Sequence, residues 1–158
     1  MIKRAHISPC GVYRYSLERI WSGAMPQMVF VMLNPSTADA DLDDPTIRRC
    51  MGFARREAFG GIFVVNLYAF RATNPKELQR VSFPHGGDNA DWLDRALARR
   101  DRPVVCAWGA NADHDTARNF VIAAKGFGTR LTCLGKTKGG APRHPLYVRA
   151  DQPLEAFP

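Results

Sequence analysis

Two patterns of apolar and polar positions sort this chain into segments. Residues 28–33 form an unbroken apolar run, the signature of a strand covered on both faces; 62–65 and 104–108 repeat it, and 131–134 does so apart from Thr132. Between these runs the apolar residues recur at helical spacing. Ile47, Cys50, Met51 and Ala54 share one face. They follow Asp44-Pro45, which offers an N-cap and a proline for the first helical position. Gly60-Gly61 is expected to stop this helix. Residues 88–100 set Trp92, Leu93, Ala96 and Leu97 on one face and close on Arg99-Arg100, as a helix carboxyl end prefers. Gly109 turns the chain into a third helix over 113–125, which Gly126 and Gly128 should break. Residues 11–21 carry the aromatic and β-branched character of an edge strand or hairpin within 1–27. From 135 to 158 the chain should be mostly loop.

Alternation of strand and helix with short connections predicts one α/β domain of three layers, α/β/α, around a mainly parallel four-stranded sheet. Right-handed crossovers bring the carboxyl ends of all four strands to one rim, where open α/β sheets bind ligands. A chain of 158 residues can bury a core without staples, and 46% apolar with 23% charged residues is ordinary globular composition. No apolar stretch reaches the length of a membrane span. Cys10, Cys50, Cys106 and Cys133 form no Cys-x-x-Cys pair, and no signal peptide is seen. Cys106 and Cys133 lie inside apolar runs, so a reduced core, a cytoplasmic location and a monomer are expected. The formal net charge of +7 favours an anionic partner, nucleic acid or nucleotide.

Candidate chemistry falls where strands should end. Asn34 closes the first run in Met32-Leu33-Asn34-Pro35-Ser36, and Asn66 closes the second in Val64-Val65-Asn66-Leu67. His144 lies in Arg143-His144-Pro145-Leu146, a proline-fixed loop with basic neighbours that suits an imidazole held against an anion. Two carboxamides and an imidazole on one rim suit a planar, hydrogen-bonding ligand such as a nucleobase, with Pro35 and Ser36 beside them. Each residue also has a structural reading: Asn-Pro-Ser as turn chemistry, Asn66 as a partner for a loose backbone group, His144 as a surface side chain. His6, His85 and His114 are expected to be exposed. Lys136, Lys138 and Arg143 are candidate phosphate contacts. Of the four carboxylates between Asp39 and Asp44, Asp44 is accounted for by the helix cap. Asp39, Asp41 and Asp43 are either a solvated loop, the favoured reading, or oxygen ligands for a hard cation. No zinc-ligand spacing, P-loop, Gly-x-Gly-x-x-Gly or Gly-x-Ser-x-Gly occurs, so neither metal nor cofactor is expected.

Most of the chain resembles a bacterial family of unknown function, domain-of-unknown-function family 1643. The likeness runs through residues 32–40, Asp43-Asp44-Pro45-Thr46-Ile47-Arg48-Arg49-Cys50, residues 64–73, Trp108-Gly109 and the His144 segment. A more distant resemblance, to the uracil-DNA glycosylase superfamily, rests on the order Asn34-Pro35, Asn66, an apolar strand ending in Trp108-Gly109, then His144-Pro145. That resemblance implies a four-stranded glycosylase-like fold and hydrolysis of an N-glycosidic bond in DNA or a nucleotide. It implies that Asn34 positions water, that Asn66 reads the base edge, and that His144 donates to the oxygen on which charge builds. Such enzymes flip the base out of the stack. The His-Pro segment continues Leu146-Tyr147-Val148, where glycosylases carry Ser-Pro-Leu or similar and insert an apolar wedge. No stacking aromatic is assigned. The alternative is a module that uses the same pocket to bind a nucleotide or nucleic acid without cleaving it.

Overall fold

The computed structural model describes residues 1–158. The four apolar runs become β3 (Gln27–Met32), β4 (Gly61–Asn66), β5 (Val104–Cys106) and β6 (Leu131–Cys133). They are mutually parallel and adjacent in the order β4-β3-β5-β6. The sheet does not end there. It has seven strands and is mixed, not four-stranded and mainly parallel: β1 (Ile2–Ile7), β2 (Arg14–Ile20) and β7 (Glu155–Ala156) all pair antiparallel. Residues 1–27 do contain a hairpin, but β2 is no edge strand, because it sits between β1 and β4. The true edge, β1, carries exposed Lys3 and Arg4, charges that discourage further strand addition.

Three helices cover the sheet. α1 (Pro45–Arg56) buries Ile47, Cys50, Phe53 and Ala54 against Met28, Phe30, Ile62 and Val64 on one face. On the other, α2 (Asn89–Leu97) and α3 (His114–Phe127) pack Leu97, Phe120 and Ala124 on Val29, Val31, Phe63 and Val104. Asp44 caps α1 as its sequence suggests, its carboxylate accepting from the Ile47 N–H at 2.8 Å. The helix ends at Arg56, before Gly60-Gly61. Those glycines serve strand contact instead. A Cβ on Gly61 would lie 2.5 Å from the Arg19 carbonyl of β2, and one on Gly60 would lie 2.3 Å from the Ser22 carbonyl. Gly61→Ala should therefore destabilise the fold by about 1–3 kcal/mol, read as a lower urea midpoint with an unchanged slope. Similarly Gly126 lies inside α3, and Gly128, left-handed at φ 70°, ends it.

The order of strands locates a site. From β3 the chain passes through α1 to β4 on one side. From β4 it returns through α2 on the opposite face to β5, on the other side of β3. Connections leaving β3 and β5 thus diverge, and the crevice outside their carboxyl ends is the switch point at which such sheets bind ligands.

Candidate functional site

A cleft of about 510 Å³ opens at that crevice. It is lined by residues that follow β3 (Leu33, Asn34, Ser36), by Asn66 at the end of β4, and by Trp108 and Gly109 after β5. The start of α1 (Asp44, Pro45, Thr46, Ile47) and the segment of Arg143, His144, Leu146 and Tyr147 complete the walls. Its size lies within the range of small-molecule sites. Asn34, Asn66, Ser36, Arg143 and His144 therefore share one cleft. Pro35, Lys136 and Lys138 do not line it: Pro35 is buried, its carbonyl taken by the Ala72 N–H, and the two lysines are exposed. His6, His85 and His114 are exposed as expected.

Asn66 is the anomaly of the site. In the parallel register it stands beside Met32, and its parity along β4 puts it on the α1 face with Ile62 and Val64. The side chain is fully buried, and neither Nδ2 nor Oδ1 has a hydrogen-bond partner. Buried polar atoms are nearly always paired, so a carboxamide with both ends open beside a cleft is available to bond whatever enters it, water or a ligand. Its backbone is braced from the opposite face, where Asn89 Nδ2 donates to the Asn66 and Leu67 carbonyls at 2.8 and 3.2 Å.

Asn34 is fixed differently. Segments 32–35 and 67–72 are zipped together beyond the strands, with the Leu67, Tyr68 and Ala72 N–H groups donating to the Met32, Leu33 and Pro35 carbonyls. Asn34 Nδ2 joins this zipper, donating to the Ala72 carbonyl at 2.7 Å and to the Pro35 carbonyl at 3.0 Å. Its Oδ1 is left as a fixed acceptor, suited to orienting a water molecule.

His144 is held over the end of β5. Gly109, left-handed at φ 76°, donates its N–H to the Pro142 carbonyl at 2.8 Å, and a Cβ there would stand 3.6 Å from the His144 Cβ. From α1, Arg49 donates to the Pro145 and Val148 carbonyls and clamps the turn (Pro145–Tyr147) that follows. The imidazole Nδ1 accepts the Leu146 N–H at 3.2 Å. A neutral ring accepting at Nδ1 carries its proton on Nε2, so His144 is a donor there. Burial pushes its pKa below the ordinary 6.5, opposed by the charge of nearby Asp44. In the unfolded chain the ring protonates first, so the unfolded state binds more protons between the lowered value and 6.5. Stability contributed by the neutral ring is therefore complete above about 6.5 and is lost as pH falls through that window. Urea unfolding across this range should show that loss, and His144→Gln should remove it.

The acidic loop is structural. Asp39 Oδ1 accepts from the Asp41 and Leu42 N–H groups, both at 2.8 Å, and Asp43 pairs with Arg19 Nε at 2.7 Å. These carboxylates do not converge on a common point that could hold a cation. Asp44 is buried in the cleft wall with both oxygens occupied, by Ile47 N–H at 2.8 Å and Ala38 N–H at 3.4 Å.

Other cleft residues are given no role there by sequence reading. Trp108 and Tyr147 are its aromatics. Trp108 is buried edge-on against Phe120 and Phe157, while Tyr147 is 78% exposed at the mouth, tilted 5.6 Å from the His144 ring. Tyr147 is thus the side chain free to stack on a ligand. Arg14 enters from β2, where a bulge makes Tyr15 an extra residue between Arg14 and Ser16 and so re-aims the arginine.

No helix is long and apolar enough to cross a membrane. Neither the curated proteins nor the solved structures contain a match to the chain. Residues 14–146, which carry every cleft residue named above except Tyr147, match the family described as "Protein of unknown function (DUF1643)", and the chain belongs to that family.

Proposed function

We propose that the protein recognises a nucleobase, in DNA or in a nucleotide, and hydrolyses its N-glycosidic bond. The observation that carries this reading is Asn66. A buried carboxamide with two open hydrogen-bonding atoms costs about 1–3 kcal/mol when left unmatched. A nucleobase edge, with a donor and an acceptor side by side, satisfies both atoms at once.

The neighbouring groups support the chemistry. Asn34 Oδ1 orients a water whose oxygen bonds to the anomeric carbon as the glycosidic bond breaks. The bond's electron pair leaves with the base, and His144 Nε2–H donates to the base oxygen that takes up the charge, an electrostatic role that strengthens toward the transition state. The water's proton passes to solvent, and the departed base is reprotonated there. The order of Asn34, Asn66 and His144 is also that of the glycosylase superfamily. Leu146 and Tyr147, which follow His144-Pro145 where that superfamily carries Ser-Pro-Leu or similar, depart from its wedge sequence, though both are exposed.

One observation favours the alternative, a binding module. Asp44, the one carboxylate of the cleft, already accepts two N–H groups, and the Asn34 amide cannot take a proton. Incubation with oligonucleotides carrying uracil, hypoxanthine or alkylated bases, and with free nucleotides, separates the two. Chromatographic release of a base supports hydrolysis. Binding without release leaves the recognition module, whose nucleic-acid form would use Arg143, Lys136 and Lys138 on phosphates and weaken steeply with salt. Neither binding nor release overturns both readings.

A further inference from the structure

Two arginines of β2 reach the loop that follows β3, and they differ in one respect. Arg19 is fully buried and saturated: Nε pairs with Asp43, Nη1 donates to the Glu18 carbonyl, and Nη2 donates to the Asp39 and Leu42 carbonyls. Arg14 is only 2% exposed, yet its side chain makes a single hydrogen bond, Nη1 to the Ala38 carbonyl at 2.7 Å. Its Nε is buried without a partner, and it makes no ion pair. Burial lowers its pKa to about 10, with Asp44 opposing and Arg71 adding to the shift. Arg19 explains itself as a staple for the loop. Arg14 does not, and unlike Arg19 it lines the cleft.

Its place in the sheet says which part of a ligand it meets. Strand order β2-β4-β3-β5 sets Arg14 at one end of the cleft and His144, over β5, at the other, with Asn66 between them. Three strand intervals span about 14 Å. That is enough for a base and an attached acidic group. The segments bonded to Arg14, through Ala38 and through its own N–H to the Ala69 carbonyl, lead to the hydroxyls of Ser36 and Thr73, 3.5 Å apart on the cleft wall.

We propose that Arg14 holds an oxyanion of the ligand, a phosphate or a carboxylate, at the end of the cleft opposite His144. The inference rests on the nucleobase reading for the rest of the ligand. A guanidinium with open donors matches such an oxyanion by charge-assisted hydrogen bonds, which neutral base edges do not supply.

Calorimetric titration of the whole protein with uridine, uridine 5′-monophosphate, uracil, orotate and inorganic phosphate tests it. The monophosphate should bind about tenfold or more tightly than uridine, or orotate than uracil, and whichever pair shows the gap names the source of the oxyanion. The gap should vanish in Arg14→Gln and persist in part in Arg14→Lys, with folding of each checked by thermal melt. Should Arg14→Gln not fold, Arg14→Lys decides: a gap reduced there but not in Arg143→Gln assigns the oxyanion to Arg14, and a gap unchanged in Arg14→Lys overturns it. Equal binding of neutral and acidic ligands by the wild type overturns the anion site and leaves the nucleobase reading standing. Phosphate bound by the wild type and lost in Arg14→Gln, with no nucleoside bound, does the reverse. No binding of any probe overturns both.

Discussion

Replacing Asn66 by leucine is expected to stabilise the unliganded protein and to weaken the proposed nucleobase binding sharply. Leucine shares the branched four-heavy-atom skeleton of asparagine and is bulkier, so no cavity opens, and the cleft beside the site offers room for the added volume. It also removes two buried polar atoms that have no partner, in a setting made by Met32, Val64 and Ile47. Loss of that unmet desolvation is worth about 1–3 kcal/mol, and each kcal/mol raises the melting temperature by about 2–4 °C at this chain length. Binding moves the other way. A bidentate amide–base pair contributes about 1–3 kcal/mol, so affinity falls roughly 5- to 150-fold, and further because the base edge is then buried unpaired. A stability cost retained at one position in exchange for binding is the mark of a functional residue. Thermal melts and titrations on the same two proteins read both effects. A destabilised Asn66→Leu that still binds would show that the amide serves the fold.

His144→Ala is expected to lower the rate of base release about 10²–10³-fold while changing ligand affinity little. The reason lies in timing: in the proposed reaction the oxygen facing Nε2 would be a neutral carbonyl in the bound base and anionic only as the bond breaks. The His144 turn is held by Gly109 and Arg49 through backbone atoms, so truncating the ring leaves the cleft wall in place. Single-turnover release under saturating protein separates the chemical step from binding. An equal fall in affinity, with the rate unchanged once ligand is bound, would make His144 a recognition residue.

Much of this architecture is legible along the chain because it is local. The four apolar runs lie where the parallel strands are, and Asp44-Pro45 opens α1 because a cap and a ring-fixed φ act on their nearest neighbours. Asn34 and Asn66 share the cleft because parallel strands end on one rim, and His144 joins them through the Gly109 and Arg49 contacts that hold its loop over β5. What escapes is non-local. Arg14 and Arg19 look like the solvent-facing charges of an edge strand. Their burial is set by carbonyls of residues 38–42, about 20 positions on, folding over them. Gly60 and Gly61 read as a helix stop because the approach of β2, which excludes any side chain there, leaves no trace in their own neighbourhood. The short outer strand β7 carries no periodicity to detect, since two residues cannot alternate. Asp44 reads along the chain as a helix cap alone, and its second position, in the cleft wall, follows only from where α1 packs.

We propose that Asn66 forms the floor of a nucleobase site. Crystals of the protein soaked separately with uracil and with uridine 5′-monophosphate test it most directly. A base is expected in the cleft with its donor–acceptor edge on Nδ2 and Oδ1 of Asn66 and an oxygen toward His144 Nε2. A base bound elsewhere, or a cleft in which ordered waters satisfy both Asn66 atoms and exclude the base at saturating concentration, would contradict it.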